Sequence, residues 1–99
     1  MPPIAMEPHE WEELRAILRT HVPNCAVWAF GSRATRQRLR RYSDLDLAIR
    51  ETGAGGGLET LREALDESRL PFKVDVVSLD SLTPEFRARI EPDLVLVQG

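Results

Sequence analysis

The chain has 99 residues, 42% hydrophobic and 29% charged, with a formal net charge of -3. Residues 1–99 therefore read as a single globular domain with room for one nucleotide-sized site and little for a second substrate domain. The acidic balance excludes direct nucleic-acid binding through bulk charge. No apolar run approaches the ~20 residues needed to cross a membrane, and MPPIAM is too short and proline-rich for a signal peptide, so a cytoplasmic setting is expected.

In chain order, residues 1–7 are expected to fray. From Pro8 to about Thr20, Trp11, Leu14, Ile17 and Leu18 recur at helical spacing, with acids early and arginines late; Pro8 suits the first turn and Pro23 stops the helix. Trp11 reads as a core anchor, and His9 and His21 read as surface residues without metal-ligand spacing. Cys25–Phe30 is an apolar run of strand length in which Cys25 is a small core residue. Gly31-Ser32 follows as a turn, and Ala34–Tyr42 reads as a loop with room for one helical turn. Tyr42 receives no role. The loop region is strongly cationic: of twelve arginines in the chain, Arg33, Arg36, Arg38, Arg40 and Arg41 fall together.

Asp44–Arg50 is the second strand. Leu45, Leu47 and Ile49 alternate with Asp44, Asp46 and Ala48, so the aliphatics point into a core while both aspartates share the other face, ~7 Å apart along the strand. Carboxylates placed so repel unless a cation sits between them, and a divalent metal bound to phosphates answers that need. Thr52–Gly57 is a flexible linker by composition. A helix over Leu58–Ser68 buries Leu58, Leu61 and Leu65. Phe72–Val77 is a third strand with Val74 and Val76 inward and Asp75 on the other face beside Lys73. Ser81–Ile90 reads as a short helix with Thr83 as N-cap, and DLVLV forms an edge strand or a packed tail.

Each signal alone is ordinary, but their order is not. The stretch FGSRATRQRLRRYSDLDLAI resembles the signature of the nucleotidyltransferase fold shared by DNA polymerase beta and the aminoglycoside nucleotidyltransferases. Within that fold the chain most resembles the minimal nucleotidyltransferases (MNT proteins) encoded beside HEPN-domain proteins; PFKVDVV and SLTPEFRARIEPDLVLV also look typical of them. Two departures stand out. Arg33–Ser43 makes eleven residues between Gly-Ser and the first aspartate where the family usually has ten. A glycine common shortly after G-S-R-A is replaced in the neighbourhood of Thr35 and Arg36.

The resemblance implies an α/β fold: a small mixed sheet, helices packed on one face, and Asp44, Asp46 and Asp75 clustered. It implies Mg²⁺, two ions, and ATP as donor, with AMP passed to a tyrosine of a HEPN toxin partner in a hetero-oligomer and the chain acting as antitoxin. In this reading Asp44, Asp46 and Asp75 are catalytic and hold the metal, while Gly31, Ser32 and Arg33 bind the nucleotide. The chemistry suits those residue types. Gly31 allows close backbone approach to phosphate oxygens, Ser32 offers a hydroxyl and an N–H, and Asp75 can receive the proton of an incoming hydroxyl. Two alternatives stay open: neutralisation of the partner by binding alone, and transfer to a small-molecule or RNA acceptor.

Overall fold

The computed structural model describes residues 2–37, 39–40, 43–50 and 58–99. The expected Thr52–Gly57 linker, Tyr42, Arg38 and Arg41 lie outside the described residues. Helix α1 (Pro8–His21) starts with proline at its first position, and the Glu7 N–H donates to the Glu10 carboxylate at 2.8 Å, so one orphan donor is satisfied by a side chain within the first turn. Strand β1 (Ala26–Phe30) leads into a four-residue helix α2 (Ser32–Thr35), then β2 (Leu45–Arg50), α3 (Leu58–Asp66), β3 (Val74–Ser78), α4 (Pro84–Ile90) and β4 (Val95–Gln98).

The four strands form one mixed sheet in the order β3-β2-β1-β4. β1 runs antiparallel to β2 and to β4, while β2 and β3 are parallel, with α3 in the connection between them. DLVLV thus ends in an edge strand, one of the two outcomes its sequence allowed.

Period-two alternation divides the sheet. Val27 and Ala29 of β1, Leu45, Leu47 and Ile49 of β2, and Val74 and Val76 of β3 point into the main core. Leu14 and Leu18 of α1 and Leu61 and Leu65 of α3 cover that face, with Trp11 and Cys25 packed at its margin. Each fully buried Leu or Ile in this layer contributes about 2 kcal/mol of transfer free energy. The opposite face is covered at one end only. Trp28, Phe30, Ala48 and Val77 pack there against Leu79, Leu82, Ile90 and Leu94, brought over by α4 and the 3₁₀ turns flanking it.

The beginning of the chain departs from the expected frayed segment. Ile4 is 1% exposed within the main core, and the Ala5 N–H donates to the Arg33 carbonyl at 2.8 Å. Three apolar residues without periodicity give no helix or strand signal, yet they bury a side chain once Arg33 supplies a backbone partner. The last helix begins as expected, with Thr83 as N-cap and Pro84 first, the Thr83 Oγ1 accepting the Phe86 N–H at 3.2 Å; Leu79–Ser81 ahead of it is a separate 3₁₀ turn.

Candidate active site

The uncovered end of the second face carries the carboxylates. Asp46 sits between Phe30 of β1 and Asp75 of β3 in the strand register, so the two aspartates are direct lateral neighbours on adjacent strands. Asp44 lies two residues earlier on the same face and stands exposed just ahead of the first β2 residue. Asp44 and Asp46 share the face that the alternation predicts, and Asp75 lies beside Asp46 as the resemblance implies.

Its electrostatic signature is concentrated on Asp46. Burial, and then the charges of Asp75 and Asp44, raise its carboxyl from 3.8 to about 6. The native state therefore binds this proton more tightly than the unfolded chain, and the metal-free protein loses stability as pH rises from about 4 through 6. Asp46→Asn removes that penalty. In EDTA the variant is expected to be about 1–2 kcal/mol more stable than wild type at pH 7.5, after allowance for solvent screening of a half-buried group, and no more stable at pH 4. Urea unfolding at the two pH values measures the difference.

Gly31 forms the other wall. Its φ of +79° belongs to the left-handed region, and a Cβ built there would lie 2.6 Å from Asp46 Oδ2. The turn is locked by its own carbonyl, which accepts the N–H groups of Ala34 and Thr35 at 3.1 and 3.0 Å as α2 begins at Ser32. Gly31 is thus beside the Asp46 carboxylate, with Ser32 next to it at the start of α2. Asp75 is ion-paired with Lys73, Nζ to Oδ1 3.6 Å, and both line an open groove of 460 Å³ along the β3 edge together with Arg62 and Asp66. The Arg62 guanidinium donates to the Val76 carbonyl at 2.8 Å.

Arg33 lies in a setting that the sequence did not suggest. Expected to bind phosphate, it is 5% exposed and held by backbone: Nε donates to the Ser43 carbonyl and Nη1 to the Ala5 carbonyl, each at 2.7 Å, with the guanidinium 3.8 Å over the Phe72 ring. Burial pulls its pKa below the ordinary value, opposed by the charges of Glu10 and Asp44. The partners Ser43 and Phe72 were missed because nothing local in the sequence links them to Arg33. Lys73 was visible two residues before Asp75 on the same strand face, and only its pairing was not.

The neighbourhood of Thr35 and Arg36, where the family commonly has a glycine, contains a left-handed residue. Arg36 closes α2 in the left-handed conformation, φ +62°, and its N–H donates to the Ser32 carbonyl at 2.7 Å. That is a position glycine fills at least steric cost. Arg36→Gly should raise stability by about 0.5–1 kcal/mol, the relief of left-handed strain being partly offset by greater freedom of the unfolded chain; chemical denaturation reads it.

Among the described residues no three carboxylate, imidazole or thiol side chains form a ready-made metal cage. The donor set nevertheless suits a hard cation that keeps waters and takes the rest of its shell from substrate phosphates. Asp46 beside Asp75, against a glycine cradle that a Cβ would fill, is a donor set that Mg²⁺ carried in with a nucleotide would fit.

Fold and site together define a nucleotidyltransferase: a mixed sheet whose first strand ends in a Gly-Ser turn facing carboxylates on the next two strands. The family described as polymerase beta, nucleotidyltransferase, matches residues 12–98, and the chain belongs to it. It is 39% identical over 87 residues to the probable protein adenylyltransferase MntA of Haemophilus influenzae, covering 86% of this chain and 75% of that protein. The kinship expected with the minimal nucleotidyltransferases holds. Two crystal structures share the fold at lower identity. A toxin–antitoxin with AMP-PNP superposes with a TM-score of 0.70 at 23% identity, over 90% of this chain and 73% of the other. A mutant form of the toxin–antitoxin MntA-HpeT gives 0.63 at 20%, over 90% and 72%.

Proposed function

We propose that the chain transfers AMP from Mg²⁺-bound ATP to a tyrosine hydroxyl of a HEPN toxin and thereby acts as its antitoxin. The observation that carries the reading is the lateral pairing of Asp46 with Asp75, next to the Gly31-Ser32 turn. The relative named protein adenylyltransferase supports the donor group and the kind of acceptor, and the toxin–antitoxin neighbours support the kind of partner.

Gly31 and Ser32 receive the outer phosphates, the glycine leaving open the space beside Asp46 that a Cβ would fill and the serine offering a hydroxyl and an N–H. Asp44, Asp46 and Asp75 would hold the divalent metal. When bound, the two ions supply Lewis-acid neutralisation of the charge that develops on the attacking and leaving oxygens. The acceptor hydroxyl enters along the groove beside β3. Its oxygen forms a bond to the α-phosphorus as the bond to the β-phosphate oxygen breaks; the hydroxyl proton passes to the Asp75 carboxylate, and pyrophosphate leaves. Products are the AMP ester of tyrosine and pyrophosphate.

On this reading the protein works in the cytoplasm, where ATP is supplied, in a hetero-oligomer with the toxin. No described helix is long and apolar enough to cross a membrane. Intact-mass spectrometry of the HEPN protein after incubation with this chain, ATP and Mg²⁺ tests the proposal: a gain of whole AMP units on tyrosine supports it. An unmodified toxin that is nevertheless neutralised in a stable complex would replace transfer by occlusion.

A further inference from the structure

Among the described residues Arg33 is the most deeply buried charged side chain, 5% exposed. A guanidinium does not shed its charge on burial, so its donors must be met. Here they meet carbonyls, and the location of those carbonyls matters. Ser43 immediately precedes Asp44, which stands outside the β2 ladder and so takes its position from whatever holds its backbone. Ala5 lies in the buried N-terminal segment. Phe72, beneath the guanidinium, leads into the strand that carries Asp75. Arg33 itself follows Ser32 in the short helix that begins at the Gly31 turn. One planar group therefore ties together the chain on both sides of the site.

We infer that Arg33 is a positioning residue: by gripping the Ser43 carbonyl it fixes the Asp44 carboxylate against Asp46, and it does not contact the nucleotide. The activity arm of the test rests on the transfer reading above; a metal-binding arm does not.

The variants are Arg33→Lys and Phe72→Leu. Lysine keeps the charge but presents one compact ammonium, which cannot hold two carbonyls in the plane of a guanidinium. In the transfer assay with the toxin, Arg33→Lys should lower kcat by roughly 10–100-fold, the usual cost of losing a group that orients a metal ligand, with KM for ATP within about threefold of wild type. Mn²⁺ binding in the presence of a non-hydrolysable ATP analogue, followed by electron paramagnetic resonance, should weaken by about tenfold. Phe72→Leu leaves both hydrogen bonds and removes only the ring, so the same pattern should appear at about threefold.

A raised KM for ATP at unchanged kcat would make Arg33 a phosphate ligand and overturn the inference. Unchanged kcat and Mn²⁺ affinity in a folded variant with a lower melting temperature would reduce it to a structural group and overturn it equally. If Arg33→Lys does not fold, Phe72→Leu decides by the same two measurements. If wild-type protein transfers nothing, the transfer reading fails, and the Mn²⁺ titration still decides the role of Arg33.

Discussion

Replacing Asp44 and Asp46 together by Asn should abolish AMP transfer, by on the order of 10³-fold or more, in a protein that stays folded. Carboxamides keep the size of the side chains but lose the charge that holds a divalent ion. Losing that Lewis-acid stabilisation costs about 4 kcal/mol or more at the transition state, which is where the thousandfold figure comes from. The fold should survive because Leu45, Leu47 and Ile49, not the aspartates, carry the burial of β2. Relief of the repulsion on Asp46 adds to stability at neutral pH, in the direction given by its raised pKa. Transfer to the toxin, measured beside a urea unfolding curve, separates the two effects. A double variant that transfers normally would remove the carboxylates from the mechanism, and one that fails to fold would make them structural.

The second large effect is expected at Gly31. Alanine there must accept a φ of +79° and place its methyl carbon 2.6 Å from Asp46 Oδ2. The backbone strain alone costs about 1–3 kcal/mol. The contact cannot be relieved without moving either the turn or the Asp46 carboxylate, and a displacement of ~1 Å at a reacting centre can cost about 100-fold in rate. Gly31→Ala should thus show both a lower melting temperature and a loss of transfer far beyond what the stability change explains at the assay temperature. Full activity in Gly31→Ala would mean that the close approach of turn and carboxylate has no catalytic consequence.

Much of this site was legible in the sequence because it rests on strand periodicity. Once Leu45, Leu47 and Ile49 are inward, Asp44 and Asp46 have no other face, and the same logic places Asp75 opposite Val74 and Val76. The turn was legible too, since Gly31 follows an apolar run and precedes Ser32. What could not be read locally depended on tertiary partners. Arg33 belongs to a cationic run and looks like a phosphate ligand; only the fold brings Ala5, Ser43 and Phe72 around it. Ile4 is one apolar residue in a proline-rich start, and its burial follows from the bond between Ala5 and Arg33. Arg36 shows the reverse case. It lies where the family commonly has a glycine nearby, and it adopts the left-handed conformation itself.

Coverage of the second sheet face also escaped the sequence. The two longer helices pack where the inward aliphatics predict, but the packing of Ile90 and Leu94 against Trp28 and Ala48 depends on where the chain goes after β3. That packing limits the open part of the face to the carboxylate row and its surroundings.

The central claim is that the α-phosphorus of ATP is the atom attacked, and isotope position tests it most directly. The wild-type chain is incubated with the toxin, Mg²⁺ and ATP labelled either at the α- or at the γ-phosphorus. The account predicts label in the toxin from α-labelled ATP and none from γ-labelled ATP, whose label leaves in pyrophosphate. Label arriving from the γ position, or no label from either while the two proteins form a complex, would contradict it.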